Sequence, residues 1–242
     1  MELMWMTMED VRKEQKAGTP VIIPFGTVEQ HGSHLPLSTD TLQAVAVASK
    51  AAESVRVIVA PPVHYGQCSS TRNHPGTVTL SGDTLRSVAK DIIISLARHG
   101  FNKIILFSGH AGRIHMAALR EAAEACVLSD SSLKLAVICD LDLVKEVSAD
   151  LLDTPRDGHA GEIETSRMMY LHPESVGDPP EEEYPQLPAG MVVPDPENYW
   201  PGGVWGNPCA ADAEKGRIIV ERSAEALAEI VKSLIKGFHD LP

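Results

Sequence analysis

Short β-branched runs separated by helix-length segments restrict this chain more than any other feature. Four apolar runs, at residues 21–24, 57–60, 104–107 and 135–138, have the length of strands and are too short for buried helices. Between them lie stretches of helical character. Residues 83–99 repeat Leu85, Val88, Ile92 and Leu96 at helical spacing, and Gly100 sits where a left-handed C-cap belongs. Residues 41–55 are rich in Ala and Val, and residues 114–127 form a further helix-length stretch. A short helix is expected over 7–16, with Thr7 as its cap and Glu9 and Asp10 in its first turn. A last helix over 211–238 carries Ile218, Ile219, Leu227, Ile230 and Leu234, which pack it back on the sheet. Strands alternating with such helices predict βαβ units and an α/β fold with a mostly parallel central sheet. The second run stops at Pro61-Pro62, which cannot continue a central strand.

With 242 residues, 43% of them apolar, the chain suits one domain over 1–242. Lys+Arg number 21 and Asp+Glu 33, so the net charge is 21 − 33 = −12. That balance argues against nucleic acid or an anionic membrane as the main partner. Cys68, Cys126, Cys139 and Cys209 are widely spaced, which indicates neither a zinc ribbon nor a disulfide scaffold. Reduced thiols, an N-terminus without signal-peptide character and no apolar run near ~20 residues lead to the expectation of a soluble cytoplasmic protein.

Chemistry concentrates in EQHGSHLPLSTD at 29–40, directly after the first strand. In extended chain, residues two apart point the same way, so Glu29 and His31 can aim at one point. Gly32 and Pro36 permit a bend that returns Asp40 to the same place. Two carboxylates and an imidazole can cage a divalent zinc, iron or manganese ion, and the two oxygens of Asp40 can bridge two ions. The competing reading is a polar turn in which Asp40 or Thr39 caps a helix starting near Leu42.

Ligands of parallel sheets bind at the carboxyl ends of strands. His110 follows the run at 104–107 and shares that edge with Glu29 and His31. Gly109 and Gly112 beside it let the backbone approach a ligand and open a helix. Alternatively, His110 is a turn histidine bonded to backbone. DGHAGEIETS at 157–166 leads into a short helix ending near Leu171. There His159 and Glu162, three apart, share a helix face. Glu162 is the candidate for a missing carboxylate ligand, and His159 for moving protons to a leaving nitrogen. Glu164 reads as a first-turn residue favoured by the helix dipole. Residues 173–210 hold nine of the 17 prolines, with Trp200 and Trp205. A segment this long is expected to be a lid or a subunit contact.

These motifs resemble the creatininase family of metal-dependent amidohydrolases. EQHGSHLPLSTD at 29–40, PGT at 75–77, GHAG at 109–112, HAGEIETS at 159–166, and GGVWGNP with AEKG at 202–216 run in the family's order across nearly the whole chain. The resemblance implies a three-layer α/β/α sandwich, a binuclear metal centre, hydrolysis of C–N bonds and, for several members, a homohexamer. It implies Glu29, His31, Asp40 and His110 as metal ligands, with Asp40 bridging, and His159 as the histidine that binds substrate and shuttles protons.

The chain also departs from the family. Creatininase itself has a tyrosine and a metal-binding glutamate after the histidine of the strand-four motif, where this chain has Ala111 and Gly112. Glu162 is therefore expected to serve the second of two divalent ions, Zn, Mn or Fe. The family's loop serine after Tyr-Gly-x is here Cys68, and Arg113 replaces a frequent asparagine. Cys68, Ala111 and Arg113 thus become candidate substrate-binding positions, Arg113 suiting a carboxylate or phosphate. The functional expectation is an amidohydrolase acting on a cyclic amide, a formylamino group of a pyrimidine intermediate or a short peptide end. The alternative of another class is a non-catalytic metal-binding oligomer.

Overall fold

The computed structural model describes residues 1–236; the expected end of the last helix at 238, and His239, lie outside the described residues. Four strands form a parallel sheet in the order β2-β1-β3-β4: β1 Val21–Phe25, β2 Ile58–Val59, β3 Lys103–Ser108 and β4 Lys134–Cys139. Seven α-helices accompany them: α1 Met8–Lys16, α2 Thr39–Ser54, α3 Gly82–Arg98, α4 Arg113–Ser129, α5 Asp140–Ser148, α6 Glu162–Leu171 and α7 Ala213–Lys236.

Alternation along the strands produces the layers. Val21, Ile23, Phe25, Ile104 and Leu106 face Leu85, Ala89 and Ile93 of α3 and Ala118, Leu119 and Ala122 of α4. Ile22, Ile105 and Phe107 face Ala44, Val47 and Ala51 of α2 together with Leu227 and Val231 of α7. Helices thus cover both sheet faces, as expected of a parallel α/β sandwich.

Pro24 lies inside the central strand β1, a place usually closed to proline. Its side of the strand faces β2, which has already stopped at Val59. There Ile22 O accepts from Ala60 N at 2.8 Å and Pro24 O from Val63 N at 2.9 Å. The missing N–H falls beside Pro61-Pro62, where the ladder has ended. Thr7 caps α1 and forms a reciprocal capping box with Asp10. Gly100 follows α3 with φ +87°, the left-handed conformation expected of it.

Helix α5 was not anticipated. It begins at Asp140, directly after β4, with no turn signal between them. Helix α2 begins at Thr39, two residues before its expected start, with Ser38 at the cap position. Asp40 is consequently a residue of the first helical turn and does not cap it.

Candidate metal centre

Two loops and one helix end meet above the carboxyl ends of β1 and β3. The segment after β1 carries Glu29 and His31, the first turn of α2 carries Asp40, and the turn after β3 carries His110. All four are buried, with exposures of 0% for His31 and 7% for His110 at the extremes. Gly109 keeps two of these pieces together: a Cβ there would collide with the main-chain carbonyl of Asp40. This glycine serves the approach of one loop to α2, not the approach of the backbone to a ligand.

Each histidine is fixed from behind and open in front. His31 Nδ1–H donates to the Glu29 carbonyl at 3.0 Å, leaving Nε2 to face Asp40 Oδ1 at 3.2 Å and Glu164 Oε2 at 3.7 Å. His110 Nε2–H donates to the Gln67 carbonyl at 3.1 Å, leaving Nδ1 to face Glu29 Oε2 at 2.9 Å and Asp40 Oδ2 at 3.1 Å. A ring nitrogen backed by a carbonyl in this manner is the usual setting of a metal-binding histidine. The turn reading of His110 explains only its rear hydrogen bond.

The supporting network extends further. Gln67 N–H donates to His115 Nδ1 at 3.2 Å, so His115 Nε2–H faces Ser108 Oγ at 3.2 Å. Ser108 in turn donates to the His110 carbonyl at 2.8 Å. Burial, with His110 nearby, pushes His115 down to about 3 and keeps it neutral. The Thr27 hydroxyl bonds Asp40 Oδ2 and approaches Glu29 Oε2 at 3.3 Å, and the Thr71 hydroxyl bonds Glu29 Oε1.

The electrostatics describe a place that wants cations. Burial alone would push His31 down, but the Asp40 and Glu164 carboxylates outweigh it and raise the ring to about 10. Burial also opposes the charge of Glu29, yet His110 brings that carboxyl down to about 2. Burial, reinforced by the charge of Asp40, lifts Glu164 to about 7 despite His31. Three carboxylates share this buried volume, and buried charges persist only when paired or bound to metal.

Glu162 does not join them. Its carboxylate accepts from Asp153 N and Thr154 N, the latter at 2.7 Å, and pairs with Lys215 Nζ at 2.7 Å. Those partners saturate it on the far side of α6, and the metal role expected for Glu162 is therefore corrected. Glu164 points inward instead, and one ligand atom each of His31, Asp40 and Glu164 lie within 4.8 Å of one another. Residues two apart on a helix point about 200° from each other, so only one of this pair could face the centre. Ala160 decides which one. It holds a left-handed φ of +49° and donates its N–H to Glu164 Oε2.

His159 lies before the helix and so does not share a helical face with Glu162. It pairs in an antiparallel bridge with Trp205, through Trp205 N to His159 O at 2.7 Å. Its ring stacks over His31 with centroids 4.3 Å apart, and Nε2–H donates to the Gln30 carbonyl at 2.8 Å. Burial, together with charge on His31, pushes it down to about 4, so the ring is neutral. Trp200 meets its edge at 5.3 Å and is itself held by Val204 O at 2.6 Å. The end of the 173–210 segment thus roofs His159, while Met191 and Val192 earlier in it stand 71% and 98% exposed.

The three expected substrate positions are scattered. Cys68 is buried beside Glu29 and His110. Ala111 is half-buried next to His110, and Arg113 is exposed at the first residue of α4. Sequence reasoning missed Glu164, Thr27, Thr71, Gln30, Ser108 and His115, and took Gln67 for plain loop. Of these, Gln30 and Glu164 lie inside motifs read from the sequence, EQHGSHLPLSTD and HAGEIETS, without being given a role in the centre.

The chain is similar to known proteins over nearly its whole length. The sequence matches the creatininase family, described as creatinine amidohydrolase, over residues 4–231. A creatinine amidohydrolase of Pseudomonas putida is 31% identical over 250 residues, covering 94% of this chain and 94% of that protein. A mycofactocin precursor peptide peptidase of Mycolicibacterium smegmatis is 30% identical over 227 residues, covering 88% and 84%. A solved structure, "Creatininase Mn", superposes with a TM-score of 0.84 at 26% identity, covering 96% of this chain and 97% of that one.

Proposed function

The chain belongs to the creatininase family, and from that premise we propose that it is a metal-dependent amidohydrolase cleaving a C–N bond of a small molecule with an activated water. One observation carries the reading: the two oxygens of Asp40 face two different histidines, each braced by a carbonyl behind it.

The donors suit two divalent ions per chain. Glu29, Asp40 and His110 would hold one, and His31, Asp40 and Glu164 the other. Nitrogen and carboxylate oxygen in this mixture accept zinc, manganese or iron(II). Bound there, the ions would supply a water acidic enough to act as a nucleophile near neutral pH, and positive charge against the developing oxyanion.

The remaining chemistry belongs to side chains. His159 starts neutral, with its Nε2 proton committed to Gln30 O. Its Nδ1 is therefore the basic atom, able to take a proton from water and return it to the leaving nitrogen. The buried Trp200 packs its apolar surface against that ring, which limits loss of the proton to solvent. The side chains of the centre are buried, which favours a compact group: a cyclic amide, a formamide or the end of a short peptide.

Two further assignments go with this reading. Exposed Met4, Trp5 and Met8, at 59%, 75% and 69%, support assembly into a homo-oligomer, with the family's hexamer as the first expectation. Four free thiols suit the reducing cytoplasm. No helix among the described residues is long and apolar enough to cross a membrane.

The test is turnover. Protein reconstituted with zinc, manganese or iron(II) is screened against small cyclic amides, formamides and short peptides, with His159→Ala as the inert control. Hydrolysis by the parent alone supports the proposal. Full metal loading with no turnover on any of the three classes favours the non-catalytic metal-binding oligomer.

A further inference from the structure

Among the described residues, Cys68 is the one thiol grouped with other side chains that could hold a metal ion. Cys126 is packed in the apolar core on α4, Cys139 ends β4, and Cys209 is exposed. Cys68, only 1% exposed, instead offers its Sγ to a group in which one Glu29 oxygen, one His110 nitrogen and the sulfur all lie within 4.8 Å of one another. Apolar packing does not account for this thiol: it hydrogen-bonds the Glu29 carboxylate, where a free cysteine more often behaves as a small hydrophobe.

The loop delivering it is built as tightly as the centre itself. Cys68 N–H donates to Thr79 Oγ1 at 2.8 Å. The preceding Gln67 carbonyl holds the ring of His110 from behind, and Gly66 lies so close that a Cβ would overlap the His115 ring. The dipeptide that fixes the tautomer of His110 therefore also carries the sulfur that lies within 4.8 Å of a nitrogen of that ring.

Resting on the metal-centre reading above, we propose that Cys68 is a thiolate ligand of the ion held by Glu29, Asp40 and His110. On binding, the S–H bond breaks, its proton leaves to solvent and a sulfur–metal bond forms, with no redox partner required. The two halves of the centre then differ. The Cys68 half has four protein donors, the count of a closed structural site. The half made by His31, Asp40 and Glu164 has three, the count of a catalytic site with room for water. A thiolate also selects by softness, so the closed half prefers zinc or cobalt(II) over manganese.

Cobalt(II) reports this directly. Protein carrying Cys209→Ser, to remove the exposed thiol, is loaded anaerobically with cobalt(II), and its near-ultraviolet spectrum is recorded beside its bound-cobalt count. The expected result is two cobalt ions and a sulfur-to-cobalt charge-transfer band, which is read without relying on the folding of any Cys68 variant. Adding Cys68→Ser should abolish the band. It should also lower the preference for zinc over manganese by about tenfold or more, at least the loss typical of outer-shell substitutions. Two bound cobalt ions with no band would overturn the thiolate and leave the metal centre standing. No bound cobalt at all would overturn both.

Discussion

Asp40 Oδ1 lies 3.2 Å from His31 Nε2, so a carboxylate on a helix and an imidazole on a loop are aimed at one point. The other oxygen of Asp40, Oδ2, lies 3.1 Å from His110 Nδ1. A side chain at the first turn of α2 therefore serves two histidines, one from each of two loops.

If Asp40 is shared, its loss should empty both positions. Asp40→Ala is expected to bind less than one equivalent of zinc after saturation and desalting, whereas His31→Ala should retain about one. Elemental analysis decides the matter, and a full retained equivalent in Asp40→Ala would show that no carboxylate bridges.

The two acidic residues of α6 should behave oppositely. Glu164→Gln is expected to weaken the second metal by about 10- to 100-fold or more, since even outer-shell partners contribute that much. Glu162→Gln should leave affinity unchanged and lower the melting temperature, because the bond to Lys215 and the two backbone N–H contacts weaken. Calorimetric titration beside thermal denaturation separates the pair.

His159→Ala should fold and keep both metals, because among its polar contacts the ring is bonded to Gln30 and no other structural partner. A positioned proton carrier contributes ~100- to 10,000-fold in rate. A fall in kcat of that size, at unchanged metal content, is the expected outcome. Loss of metal would make the ring a ligand.

Arg167 and Asp140 form a fully buried pair at 2.6 Å that ties α6 to α5. Removing one partner of such a pair typically costs ~3–5 kcal/mol, and Arg167→Met should show it in urea unfolding. The pH dependence has a defined sign. Burial raises the Asp140 carboxyl above its ordinary 3.8, with Arg167 opposing. The folded state thus holds that proton longer than the unfolded state, so this group's contribution to stability falls as pH climbs above 3.8. In Arg167→Met the opposing guanidinium is gone, and the decline should reach to higher pH than in the parent.

The sheet could be read from the chain because its evidence is local. Four β-branched runs and the spacing of Leu85, Val88, Ile92 and Leu96 are properties of neighbours in sequence. Glu29, His31, Asp40 and His110 were legible for the same reason, each sitting just past a strand or opening a helix. Glu164 was not legible. Its inward direction depends on the left-handed turn at Ala160 and on Lys215, 53 residues away from Glu162, claiming the other carboxylate. Neither the α5 start at Asp140 nor the carbonyl of Gln67 behind His110 leaves any mark in residue type, since main-chain atoms are the same everywhere.

The seating of α2 has an engineering consequence. Asp40 is carried by a helix whose inner face, Ala44, Val47 and Ala51, rests on the sheet and on Leu227 and Val231 of α7, while Gly26 and Gly109 admit its first turn so closely that any side chain at either would collide with Thr41 or Asp40. The placing of the Asp40 carboxylate between His31 and His110 is thus a dimension of the helix layer. A library seeking a different metal preference should vary α2 and α7 in the core, where a change such as Val47→Ile would slide the Asp40 carboxylate without touching a single candidate ligand.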